Sequence, residues 1–96
     1  MHARVSTYVT DDPEGLVEGF QSVTYELEHV EGFSLAYFLV DNATGRAVSI
    51  TIWESEDALN ASSDAADELR TRGARSSETQ VLSVETYEVA HRAGAA

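Results

Sequence analysis

The chain has no cysteine and no lysine, and only one proline and one tryptophan, in 96 residues. Without cysteine there are no disulfides, no thiolate nucleophiles and no thiolate metal sites, and the default location is the cytoplasm. No apolar run approaches the ~20 residues of a membrane-spanning helix. No basic segment followed by an apolar stretch marks a secretory leader. Positive charge is scarce: six Arg stand against 17 acids, for a formal net charge of −11. An acidic surface repels phosphate, so nucleic acid and anionic membranes are poor partners. There is no glycine-rich phosphate loop, no dinucleotide fingerprint and no Ser-His-Asp order. What remains is a globular composition, 43% hydrophobic and 24% charged, of a length that suits a single domain over residues 1–96, with a core at about 4–89 between short tails.

Within that core the periodicity switches between two and 3.6. Residues 4–10 (RVSTYVT) alternate as a strand, with Val5, Thr7 and Val9 on one face and Arg4, Ser6, Tyr8 and Thr10 on the other. The run Asp11-Asp12-Pro13-Glu14 then opens a helix with an Asp cap, Pro in the first turn and an acid at the positive dipole end. Its apolar stripe is Leu16, Phe20, Val23 and Leu27; Gly15 and Gly19 weaken it or admit a close neighbour. Residues 32–41 (GFSLAYFLVD) form a strand that is apolar on both faces. A turn at Asn42-Ala43-Thr44-Gly45 leads into a returning strand over 46–53. Ser55-Glu56-Asp57 caps one second helix, which carries Ala58, Leu59, Ser62, Ala65, Ala66 and Leu69 inward and ends near 70–73; residues 80–89 are the last strand.

The order βαββαβ is the ferredoxin-like arrangement, an α+β fold. The right-handed crossover rule places the first strand between the third and the fourth, so that all neighbours are antiparallel. Helices then cover one face only. The second strand's other face needs a cover, which a twofold partner sheet supplies, and a homodimer is expected. If Gly45 is a bulge, Asn42 pairs with Arg46, and Trp53 lies opposite Leu35 and Thr51 opposite Tyr37. That register uses the glycine and is preferred. It leaves Ala36, Phe38 and Val40 for the partner, and a slip of one residue exchanges the two sets.

The stretch ITIWESEDALNAS, residues 50–62, is a strand ending in Trp followed by E-S-E-D-A at a helix start. With the Gly32-Phe33 strand opening and the element order, it resembles the antibiotic biosynthesis monooxygenase (ABM) family over residues 4–89. The resemblance implies ferredoxin-like protomers paired into dimeric α+β barrels. It also implies cofactor-free oxygenation of a small aromatic, polyketide-like compound to a quinone. The family's haem-degrading branch adds a His late in the second helix and an Asn on the first strand. Here both are missing, so haem breakdown is not expected and no cofactor is assigned.

In the preferred register Leu35, Tyr37, Thr51 and Trp53, with Ser6 and Tyr8 by parity, line an aromatic cavity with a few hydroxyls, the usual make-up of a small-molecule site. An ordinary filled core fits the same residues. Trp53 is either a pocket wall or an anchor packing the helix start on the sheet. Tyr8, Tyr37 and Tyr25 are the candidates for the polar aromatic roles that the resemblance implies; no catalytic residue is assigned. His29 suits a helix C-terminus. His2 and His91, on neighbouring strand ends, lack a carboxylate set, and no metal is assigned. A non-catalytic ligand-binding barrel and a purely structural dimer are the alternatives to an enzyme.

Overall fold

The computed structural model describes residues 1–75 and 78–94. The elements are β1 (His2–Thr10), α1 (Pro13–Glu28), β2 (Phe33–Asp41), β3 (Arg46–Trp53), α2 (Glu56–Ala61), α3 (Ser63–Ala74) and β4 (Thr79–Glu88). The four strands lie in the order β2-β3-β1-β4 with every neighbour antiparallel. This is the expected α+β, ferredoxin-like arrangement. α1 opens as its sequence dictates: the Asp12 side chain accepts from the Gly15 N–H at 3.0 Å, and Pro13 occupies the first turn.

The second helix is not continuous. It breaks at Ser62, whose backbone N–H reaches the Ala58 and Asn60 carbonyls while its own carbonyl starts α3 through Ala66. The physical reason lies in residues 60–64, Asn-Ala-Ser-Ser-Asp, where short polar side chains compete for backbone groups. Ser62 Oγ donates to the Leu59 carbonyl at 2.8 Å.

The helices pack on one face of the sheet in two adjoining clusters. Tyr8, Leu16, Phe20, Ala47 and Ala74 form one; Val23, Leu27, Trp53, Leu59 and Leu69 form the other, and Phe38 touches both. α1 and α3 meet at glycine: a Cβ on Gly19 would stand 1.8 Å from the Gly73 carbonyl oxygen. Gly19 is therefore required for the approach and is no mere weak spot in the helix.

The register of β2 on β3 differs from the preferred one by a residue. Asp41 pairs with Arg46, Phe38 with Ser49 and Ala36 with Thr51. Gly45 sits inside a four-residue loop at φ +75°, donating to the Asp41 carbonyl at 2.9 Å and accepting from Thr10 N–H at 2.8 Å. The glycine thus closes the turn and ties it to the end of β1, and the irregularity falls at the other end, between Phe33 and Leu35. Phe38 and Ala36 consequently face the helices, while Leu35, Tyr37 and Leu39 face away from them.

That outward face is bare. Tyr37 is 53% exposed and Leu39 49%, and Tyr87 on β4 is also exposed. No helix among the described residues is long and apolar enough to cross a membrane.

Candidate functional site

The alternation of β1 sends Arg4, Ser6, Tyr8 and Thr10 inward, and all four are buried. Beneath the helices Arg4, Ser6 and Tyr8 meet Ser49 and Thr51 of β3, Phe38 of β2, Phe20, Val23 and Leu27 of α1, and Ala66, Leu69 and Arg70 of α3. The space they enclose is small, about 40 Å³. Phe20 and Phe38 stack with ring centroids 4.7 Å apart, and Tyr8 leans on Phe20 at 5.3 Å. The polar groups are paired along the sheet: Tyr8 Oη with Ser49 Oγ at 2.8 Å, and Arg70 Nε donating to Ser6 Oγ at 3.2 Å.

Arg4 dominates the electrostatics. It is 5% exposed. Nη2 donates to the Leu59 carbonyl at 2.8 Å and Nη1 to Ser62 Oγ at 3.3 Å, while the guanidinium lies 5.6 Å from the Trp53 ring centroid. Burial, then the like charge of Arg70, hold its pKa below the ordinary arginine value, against a smaller opposing effect of Asp67. Arg70 also donates to Asp67 Oδ1 at 2.8 Å.

Of the residues singled out from sequence, Ser6, Tyr8 and Thr51 meet at this cavity. Trp53 is fully buried and lies behind it, its Nε1 donating to Thr51 Oγ1 at 2.9 Å and its ring edge-on to Phe33. Leu35 and Tyr37 line a separate groove on the open face with Ile50, Ile52 and His91, as the corrected register requires. Tyr25 is 74% exposed on α1 and stacks beside His29, whose Nδ1 is 2.7 Å from the Tyr25 carbonyl. His2 stands 3.3 Å from Glu56 across from Glu88. No group of three or more potential metal ligands occurs among the described residues.

Sequence reasoning passed over Arg4, Arg70, Ser49 and Phe20 as site residues. The alternation of β1 had already put Arg4 on the inward face; a cation there, in a chain with few of them, was the available signal.

No family model matches the chain. Over 70 residues it is 43% identical to an uncharacterised protein of Mycobacterium tuberculosis, present in two strains; the match takes in 72% of this chain, which spans only 30% of the relative's length. Among solved structures, it superposes on SnoaB, a cofactor-independent oxygenase from Streptomyces nogalater, with a TM-score of 0.76 at 13% identity, covering 95% of this chain and 94% of that one. The haem degrader MhuD of Mycobacterium tuberculosis follows at 0.72 and 21%, covering 98% and 100%. An antibiotic biosynthesis monooxygenase of Deinococcus radiodurans matches with a TM-score of 0.65 at 14% identity, covering 100% of this chain and 99% of that one. The chain has the fold of the antibiotic biosynthesis monooxygenases. A further neighbour is a Streptomyces coelicolor monooxygenase holding nanaomycin D, with a TM-score of 0.57 at 18% identity over 97% and 92% of the two chains. At these identities the likeness concerns ABM architecture.

Proposed function

We propose that the chain is a single-domain member of the ABM family. It pairs as a homodimeric α+β barrel and oxygenates a small aromatic compound between sheet and helices without a cofactor. The observation that carries this reading is the lining of the cavity between sheet and helices: stacked Phe20 and Phe38 beside the hydroxyls of Tyr8, Ser49 and Thr51. Aromatic walls hold a planar ring by offset stacking, and the hydroxyls orient its oxygens. One neighbour supports it directly: SnoaB is a cofactor-independent oxygenase.

The substrate for such chemistry is a phenol with an acidic methylene in the ring system. Its deprotonated form passes electrons to O2; two C–H bonds break, one oxygen atom stays as the new carbonyl and the other leaves as water. Donors already aimed at the developing oxyanion stabilise it without reorganising, and a closed site keeps bulk water from the intermediates. The 40 Å³ cavity is far below the ~300–1,000 Å³ of drug-sized ligand sites. A ring system therefore needs more room than the cavity offers, and its entry requires the helices to part from the sheet.

Oxygen uptake with a hydroxyanthrone tests the proposal. Stoichiometric consumption with quinone formation, reduced at least ~10-fold in Tyr8→Phe, is the expected result. Binding without any uptake would leave a ligand-binding barrel. That second reading is favoured by the Trp53 N–H, which Thr51 engages and which is therefore not offered to a reacting oxyanion.

A further inference from the structure

The inward cations are out of keeping with the rest of the chain. In a protein of net charge −11, Arg4 is buried to 5% exposure with neutral partners, a backbone carbonyl, a serine hydroxyl and an indole face. Arg70, whose side chain is 11% exposed, reaches the same cavity from α3, and its one carboxylate, Asp67, stands 65% exposed in solvent. A guanidinium offers five N–H donors, and the partners described take two on each arginine. A buried charge without a counter-charge is costly. The cost is relieved when a ligand brings the missing negative charge.

We propose that Arg4 and Arg70 form an oxyanion-recognition site for the head group of an aromatic acid, a carboxylate or phenolate carried on the ring. This rests on the reading that the ligand enters between sheet and helices, and it adds what that ligand must carry. A cavity of about 40 Å³, against the ~10–15 Å³ that admits one water, accommodates a planar oxyanion and no ring. The head group seats between the guanidiniums, Tyr8 Oη lies within the same lining, and the ring takes the room that its entry opens between sheet and helices. Two planar forks suit a planar oxyanion in bidentate geometry. Burial and the charge of Arg70 hold the Arg4 pKa down, and a bound anion opposes both effects.

The test is calorimetric titration of the full chain with 2-naphthoate and with its uncharged methyl ester at fixed ionic strength and neutral pH. The carboxylate should bind at least ~10-fold more tightly than the ester. The advantage should shrink to under ~2-fold in Arg70→Gln, with Arg4→Lys losing part of it because a point charge replaces a fork. Circular dichroism confirms that each variant is folded, and Arg70→Gln decides if Arg4→Lys is not. Equal affinities for acid and ester in the wild type, an undiminished preference in Arg70→Gln, or no binding of either up to about millimolar ligand would each overturn the site. Oxygen uptake is scored separately, so the oxygenase reading stands or falls on its own measurement.

Discussion

Arg4 Nη2 donates to the Leu59 carbonyl at 2.8 Å, in the last turn of α2 where the helical run stops. The terminal carbonyls of a helix lack intrahelical partners, and a cation there also meets the negative end of the dipole. Ser62 completes the arrangement, donating to the same carbonyl and accepting from Arg4. One strand residue thereby braces the break that residues 60–64 make in the helix.

Arg4 should be replaceable by methionine at little cost. Removing a buried charge together with its desolvation penalty offsets the lost hydrogen bonds, and a side chain of similar length refills the space. Urea denaturation should show Arg4→Met within about 1.5 kcal/mol of wild type, while Arg4→Ala loses ~2–4 kcal/mol to the void. Equal losses in the two variants would show that the guanidinium holds the fold together.

Gly19→Ala should destabilise although alanine is the better helix former by ~1 kcal/mol. The new methyl meets the Gly73 backbone carbonyl, which has no rotamer to escape into. A net loss of ~1–3 kcal/mol is expected from forcing the helices apart. A rise in the chemical denaturation midpoint would refute the backbone contact.

Trp53→Phe should lower stability by ~1–2 kcal/mol and leave ligand affinity within about twofold, since the ring is fully buried behind the cavity and its N–H is held by Thr51. Wild-type fluorescence should resist acrylamide quenching. An affinity loss of tenfold or more in the variant would move Trp53 into the binding surface.

The open sheet face should be covered by a second copy. Light scattering at micromolar protein is expected to give twice the 10.4 kDa chain mass. Tyr37→Glu should shift the protein toward monomer by placing a charge among apolar neighbours. Phe38→Glu should instead unfold it, because Phe38 stacks on Phe20 under the helices. A wild-type monomer would remove the barrel.

Glu26 and Arg72 tie α1 to α3 through paired bonds, one of them 3.0 Å from Arg72 Nη1. The Arg72 hydrogen bond lowers the Glu26 pKa below its ordinary value. Its contribution is complete above the unfolded pKa of ~4.3 and fades as pH falls through the lower folded value. Glu26→Gln should therefore lose a small amount of stability at neutral pH and converge on the wild type as pH falls below the folded value, which flattens the acid limb. Equal stability of variant and wild type at neutral pH, with the same acid limb, would show the pair to be idle in solution.

The fold was readable because its signals are local: the alternation in β1, the Asp12-Pro13 opening of α1, and the order of the elements. The inward set of β1 was correct to the residue. β2 was ambiguous because both its faces are apolar, so the register hung on the loop. There Gly45 turned out to serve a long-range bond to Thr10 that no local pattern reveals. The division at Ser62 was masked by inward residues that keep helical spacing across it. Arg70 sat near a helix end, where an arginine normally faces solvent, and only the packing of α3 on the sheet turns it inward.

The burial of Arg4 and Arg70 has a kinetic consequence. With those two cations turned inward, the remaining groups account for a formal −13, that is −11 less two positive charges. At long range the molecule repels the acids that its interior is built to hold. Added salt shortens the reach of that outer repulsion, to about 8 Å at physiological ionic strength, and screens a buried contact far less. Encounter with an acidic ligand should therefore quicken as ionic strength rises, while its residence time changes little, the reverse of the usual salt effect on attraction between opposite charges.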